Sequence, residues 1–266
     1  KPIKGLISFA RNVGKDVEEV ARARYPANRD LLTKINQFFE AYSRTKLARG
    51  LTDYDDLLVF WLTLMEKHEE PRQYFQNRFS HVLVDEYQDV NCLQANIVDL
   101  VISNHQVMAV GDDAQCIYTW RGADLDQILS FPERHPGTKI FKIETNYRSS
   151  PEILQLANGI LANRTAEKSF SKELKASRPH QELPRVVPTL DAYQQADFVI
   201  SKIQDLYNSG AEYDQIAILY RAHYHAMELQ VELSRRGLPF LITSGLRFFE
   251  QAHVKDLVAQ IRFVAN

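Results

Sequence analysis

Apolar residues in the first quarter of the chain recur at three- and four-residue steps. Leu31, Leu32, Ile35, Phe38, Phe39 and Tyr42 form one such stripe, which is the face of an amphipathic helix. Residues 17–70 therefore read as helical. Thr52 or Asp53 is placed to cap a further helix whose apolar content is Leu57, Leu58, Phe60, Trp61, Leu62 and Leu64, because a short side-chain oxygen can take an orphan backbone N–H there. Pro71 is expected to start a short helix ending near Phe79.

The period changes at His81. Val82-Leu83-Val84 is a short β-rich run that stops at Asp85-Glu86, and Gln106-Val107-Met108-Ala109-Val110 stops at Gly111-Asp112-Asp113. Lys139-Ile140-Phe141-Lys142-Ile143 is a third run, followed by Asn146-Tyr147-Arg148. A helical stretch, roughly Leu93–Ile102, separates the first two. Strand, helix, strand with continuous apolar strands predicts an α/β fold with a parallel sheet covered on both faces. In such sheets ligands lie at the carboxyl ends of the strands, and each of these runs ends in a polar cluster.

A second αβ series follows. Helices are expected over 151–163, 192–207, 226–236 and 254–264, with Ala196, Val199, Ile200, Ile203 and Leu206 facing inward on the second. Gly237 suits a helix stop. Val186-Val187, the buried run Ile216-Ala217-Ile218-Leu219-Tyr220 and Phe240-Leu241-Ile242 are expected strands. Residues 164–185 are polar and read as a loop.

Composition narrows the class. A chain of 266 residues, 45% hydrophobic and 25% charged, is globular and long enough for one large or two ordinary domains. The two cysteines, Cys92 and Cys116, exclude a disulfide scaffold and fit a reducing cytoplasm. The eight His show no metal spacing. No apolar run reaches membrane-spanning length, and no signal peptide follows Lys1, which stands where an initiator Met would; the expectation is a processed or excised piece. The net charge of -2 hides an asymmetry: residues 1–50 hold 11 Lys and Arg against 5 Asp and Glu, and residues 51–100 hold 3 against 10. A basic stretch can meet phosphate and an acidic one can hold a cation; two solvated helix faces would look the same.

Three clusters carry candidate chemistry. In Asp85-Glu86-Tyr87-Gln88-Asp89, Asp85 suits Mg²⁺, which prefers hard oxygen ligands and keeps several waters. Glu86 suits the orientation and deprotonation of water. An acidic turn after a strand has the same letters. In Gly111 to Ala123, Gln115 can sense a terminal phosphate or its water, while Tyr118, Trp120 and Arg121 can stack on unpaired bases; taken singly, each aromatic could be core. In Asn146-Tyr147-Arg148-Ser149-Ser150, Arg148 can reach a transferring phosphoryl group and Tyr147 can stack on a base. A capped helix start with a surface Arg is the alternative.

In this order the three clusters resemble motifs II, III and IV of superfamily 1 DNA helicases of the UvrD/Rep/PcrA type. Asp53-Tyr54-Asp55-Asp56-Leu57-Leu58 is similar to the family's lead-in to motif II. Ile218-Leu219-Tyr220-Arg221 and Gly245-Leu246-Arg247-Phe248-Phe249-Glu250 resemble segments of its second motor domain. The resemblance implies RecA-like parallel sheets flanked by helices, of the P-loop NTPase type but incomplete, behind an N-terminal helical segment. Residues 1–48 would be 1B-like, 49–145 the later part of domain 1A, and 146–266 the first part of domain 2A.

It further implies an ATP-dependent 3′-to-5′ DNA helicase and translocase using ATP and Mg²⁺, acting on single-stranded DNA and its junctions with duplex, alongside repair or replication proteins and with no membrane. Asp85 would hold Mg²⁺ and Glu86 would be the base. Gln115 would couple the γ-phosphate to the DNA site, Tyr147 would lie against adenine and Arg148 would be the arginine finger. Tyr118, Trp120, Arg121, Arg221 and Arg247 would face DNA. Two departures stand out. Ala222-His223-Tyr224-His225 replaces the usual Thr-Asn-Ala-Gln after Arg221, and the pattern G-x-x-x-x-G-K-[ST] occurs nowhere. Without that phosphate cradle this chain is expected not to hydrolyse ATP alone. A helicase-like module that binds nucleic acid or protein without ATPase activity is the alternative.

Overall fold

A computed structural model describes residues 2–26, 29–103, 106–119, 122–164, 169–243 and 252–265. The chain divides into two compact units, 1–184 and 185–266.

The first unit opens with five helices: α1 (Pro2–Asn12), α2 (Val17–Arg24), α3 (Arg29–Ala48), α4 (Tyr54–Lys67) and α5 (Glu69–Arg78). Leu6, Ile7 and Ala10 of α1 pack on Val17, Val20 and Ala21 of α2 and on Ile35 of α3. The stripe on α3 is only partly inward: Ile35 is buried while Phe38 is half exposed. Asp53 caps α4 in a reciprocal box, its Oδ1 accepting from Asp56 N–H at 2.9 Å and its own N–H donating to Asp56 Oδ2 at 2.8 Å. Two cations close on this cap. Arg11 of α1 donates to Asp56 Oδ1 at 2.8 Å, and Lys46 of α3 pairs with both Asp53 and Asp56. The cap thus ties three helices together.

The parallel pair β1 (Val82–Val84) and β2 (Val107–Ala109) flanks α6 (Cys92–Val101). Val82 packs with Met65 of α4 and Leu93, Ile97 and Val101 of α6. Val84, Val107 and Ala109 pack around Tyr87, Ile128 and Phe131, the last two from α7 (Leu125–Leu129) and α8 (Phe131–Arg134). The opposite face is not covered as expected: Leu83 and Met108 are 73% and 57% exposed. Successive side chains alternate across a strand, and the described helices that pack on these strands meet only the Val82 side.

The third expected strand, 139–143, is also corrected. Phe141 and Ile143 are more than 80% exposed, and the ladder begins only at β3 (Thr145–Asn146), which pairs in parallel with β4 (Lys175–Ala176). The expected loop 164–185 therefore contributes a short strand. Between these strands lies α9 (Pro151–Ala162), started by proline, whose missing N–H costs nothing in a first turn.

The second unit is built on α10 (Ala192–Asn208) and α11 (Met227–Arg235). Ile200 and Ile203 meet Leu233, with Ile216, Leu229 and Phe240 packed around them. Leu206, expected inward, is 37% exposed. Gly237, at φ +67°, lies two residues past the end of α11, in the left-handed region where a side chain would clash. The strands expected at 186–187, 216–220 and 240–242 are not formed among the described residues: Val186 and Leu219 are 97% and 94% exposed. A lone extended segment has no ladder to satisfy its N–H and C=O groups, so apolar sequence alone does not make it a strand. The last helix is α12 (Ala252–Ala265). No described helix is long and apolar enough to cross a membrane.

Candidate nucleotide and DNA site

Parallel pairing of β1 with β2 puts their carboxyl ends side by side. The ladder runs on past both strands: Val110 N–H donates to Val84 O at 2.8 Å, and Tyr87 N–H to Val110 O at 2.9 Å. The loop carrying Asp85 and Glu86 is thereby bonded to the loop carrying Asp112 and Gln115.

Asp85 and Glu86 are both exposed. Asp85 Oδ1 accepts from Glu86 N–H at 2.9 Å. Glu86 sits at φ +52°, ψ +41°, a left-handed conformation that costs a non-glycine residue about 1–2 kcal/mol. It is the one non-glycine residue at positive φ among those described, and such strain collects at functional sites. The turn is held by Gln88, which is 1% exposed. Its Nε2 donates to Glu86 Oε2 at 2.6 Å and its Oε1 accepts from Asp112 N–H at 2.9 Å. One buried amide so couples the two loops. Beneath it Tyr87 is fully buried, its hydroxyl bonded to Arg134, which also pairs with Asp99 at 3.1 Å.

Gln115 ends a short 3-10 turn, Asp113–Gln115, capped by Asp112. Its Nε2 donates to Asp112 Oδ2 at 3.0 Å. Burial acts to raise the Asp112 carboxyl, but hydrogen bonds from Gln115, Lys172 and Ala114 N–H outweigh it and hold the group below the usual carboxylate range. Asp113 is almost wholly buried and is met by Arg164 at 2.8 Å and Lys172 at 3.1 Å. The Cys116 thiol is pushed up by burial and by the Asp89 and Asp124 carboxylates, which disfavours the nucleophilic thiolate form.

A side chain at Gly111 would have no room. An added Cβ would lie 2.7 Å from Gln88 Oε1 and 2.9 Å from Ile128 Cδ1. Gly111→Ala is expected to destabilise the chain by about 1–3 kcal/mol, the range for overpacking, since the bridging amide must move. Urea unfolding beside the unaltered chain measures it, and an unchanged midpoint would refute it.

Tyr147 is 73% exposed and Arg148 is exposed. They follow β3 in a turn where Asn146 Oδ1 accepts from Arg148 N–H at 2.9 Å and Ser149 N–H at 2.8 Å. Among the described residues no hydrogen bond or ion pair joins Arg148 to Asp85, Glu86 or Gln115. Tyr118 is 37% exposed. In the second unit Arg221 lines a cavity of about 380 Å³ with Gln195, Val199, Leu219, His225 and Leu229. Trp120, Arg121 and Arg247 lie outside the described residues. Gln88, Asp112, Asp113, Arg164 and Lys172 were not singled out from the sequence. A polar residue next to a strand-end acidic pair is the one signal that points to Gln88; nothing local points to Lys172, which lies 60 residues from Asp112.

No group of three or more His, Cys, Asp or Glu able to hold a metal is found among the described residues. Mg²⁺ does not need one, since it is commonly held by one or two carboxylates with water and phosphate oxygens. Asp85, exposed at a strand end and bonded at one oxygen to a backbone N–H, fits that requirement.

The amino-acid sequence matches two successive family models. The family model of the UvrD/REP helicase N-terminal domain matches residues 1–136, and that of the UvrD-like helicase C-terminal domain matches residues 141–266. Similar proteins include the ATP-dependent DNA helicase PcrA of Staphylococcus epidermidis (strain ATCC 35984), 30% identical over 263 residues, and that of Staphylococcus aureus (strain Mu50), 31% identical over 262 residues. These alignments cover 98% of this chain but 35% and 36% of the relatives, so the chain spans about a third of their length. With two successive family models covering nearly every residue, and strand-end loops carrying the acidic pair and the glutamine, the chain belongs to the UvrD/REP helicase family.

Proposed function

We propose that this chain forms the central part of an ATP-dependent 3′-to-5′ DNA helicase and translocase, coupling hydrolysis to movement along single-stranded DNA and to unwinding at junctions with duplex. The observation that carries the reading is the Gln88 bridge. It holds an acidic pair and a glutamine-bearing turn together at the ends of two parallel strands, where α/β folds bind nucleotides. The PcrA relatives are named ATP-dependent DNA helicases.

In this reading Asp85 holds Mg²⁺, which supplies charge neutralisation at the phosphates. Glu86 orients the attacking water and takes its proton at a carboxylate oxygen, the other oxygen being held by Gln88. Gln115 reports the state of the terminal phosphate to the segment bearing Tyr118, Trp120 and Arg121, which grips bases. Tyr147 stacks on adenine and Arg148 offsets charge on the transferring group from the opposite wall. Arg221 and Arg247 contact the DNA backbone. Residues 1–48 are then 1B-like, 49–145 part of 1A and 146–266 part of 2A, in a cytoplasmic protein working with repair or replication partners.

The second reading is a helicase-like nucleic-acid or protein binding module without ATPase activity; the pattern G-x-x-x-x-G-K-[ST] does not occur within these 266 residues. Hydrolysis assayed with and without single-stranded DNA, on this chain and on the full open reading frame, separates the two. DNA-stimulated turnover in the longer protein alone supports the motor. DNA binding with no turnover in either overturns it in favour of the binding module.

A further inference from the structure

The buried carboxylate of Asp113 has partners far along the chain. Arg164 Nη1 donates to its Oδ2 at 2.8 Å and Nη2 to its backbone O at 3.3 Å. Lys172 Nζ meets Asp113 Oδ1 at 3.1 Å and also bonds Asp112. The Lys172 side chain is only 15% exposed and that of Asp113 only 2%. Asp113 is shut off from water while Asp112, its neighbour, keeps a side chain 32% exposed. Two adjacent carboxylates repel one another unless a cation lies between them, and the ammonium of Lys172 bonds to both.

The consequence reaches Gln115. Asp112 uses one carboxylate oxygen for Lys172 and Ala114 N–H, and the other for Gln115 Nε2. The direction in which Gln115 presents its amide is therefore set by a carboxylate whose own position depends on a lysine 60 residues away. The two family models change over between residues 136 and 141. Arg164 and Lys172 belong to the C-terminal match and the acidic pair to the N-terminal one, so the cluster ties one family segment to the other beside Gln115.

We infer that Lys172, assisted by Arg164, is a positioning residue that fixes Gln115 through the Asp112–Asp113 pair and thereby links the C-terminal family segment to the phosphate-sensing turn. The sensing role of Gln115 rests on the helicase reading above; the positioning itself does not. Lys172 touches neither nucleotide nor DNA in this scheme. It removes the repulsion that would otherwise swing Asp112 toward water and take the Gln115 amide with it.

The test has two arms. In the first, the side-chain amide resonances of Gln115 are followed by ¹⁵N NMR in this chain, with Gln115→Ala identifying them. Lys172→Met is expected to move them to the positions of a glutamine whose amide bonds only to water, and Lys172→Arg to keep them in place. Lys172→Gln, which is polar, uncharged and one atom shorter, is read in the same way if Lys172→Met does not fold. Unmoved resonances in a folded neutral variant overturn the inference.

In the second arm, DNA-stimulated hydrolysis is measured on the full open reading frame. Lys172→Met is expected to lower kcat about tenfold or more, the scale on which a misplaced group acts. KM for ATP should stay within about twofold, and Lys172→Arg should restore kcat. An unchanged kcat beside moved resonances overturns the link to sensing. Absence of hydrolysis in the unaltered protein, with moved resonances, supports the positioning and rejects the helicase reading instead.

Discussion

Replacing Glu86 with Gln is expected to lower DNA-stimulated ATP turnover by about 10²–10⁴-fold in the full open reading frame, the usual contribution of a general base, while ATP binding persists. The two side chains have the same shape. A glutamine at 86 can still accept from Gln88 Nε2 through its carbonyl oxygen, so the 2.6 Å contact that holds the turn has a replacement. The left-handed backbone at φ +52° is no harder for Gln than for Glu, since its cost comes from Cβ, which both possess. What the amide cannot do is take a proton from water. Steady-state turnover and nucleotide binding, measured on the same preparation, separate these effects. Turnover within tenfold of the unaltered protein would remove Glu86 from the base role.

Asp56→Ala should be the most damaging change in the helical part, with a loss of about 3 kcal/mol, at the lower end of what breaking a buried ion pair costs. Asp56 is 4% exposed and satisfies Arg11, Lys46 and the N–H of Asp53 together. Alanine leaves both cations to Asp53, which lies 3.4 Å from Arg11 and 2.6 Å from Lys46, and it removes half of the capping box. Urea denaturation measures the loss, and a change below about 1 kcal/mol, typical of an exposed pair, would refute the network. Acid provides a second check. Burial acts to raise the Asp53 carboxyl, but the hydrogen bonds from Lys46, Asp56 N–H and Tyr42 prevail and bring it from 3.8 to about 2. A lowered folded-state value means that the unfolded chain takes up this proton first. The contribution is therefore fully present above about pH 4 and is lost as pH falls toward 2. Asp53→Asn should flatten that part of the stability profile.

Helices were legible wherever a long apolar stripe met a local start or stop signal. Asp53 before α4, Pro151 opening α9 and Gly237 after α11 each act within a few residues, so their effect is written in adjacent letters. β1 and β2 were legible because a short apolar run ended abruptly in charge. The same kind of run at 139–143 and 216–220 did not become strand, since a strand is made by its neighbours and no stretch of sequence contains them. Leu83 and Met108 tell the same story in reverse: they are apolar, they lie in a formed strand, and they remain 73% and 57% exposed.

The candidate site divides along the same line. The sequence by itself determined which chemistry is available, because Asp85, Glu86, Gln115, Tyr147 and Arg148 bring their carboxylate, amide, phenol and guanidinium wherever the chain carries them, and the order of their motifs identifies the family. Only the tertiary structure decided how those groups are held. The parallel pairing of β1 with β2 let a buried Gln88 span two loops, and Lys172 and Arg164 came to rest on Asp112 and Asp113 across 51 to 60 residues. Hydrogen bonds and ion pairs act over a few ångströms of space whatever the separation in sequence. The groups proposed for the chemistry can therefore be named from the chain, and the groups that hold them emerge only when it folds.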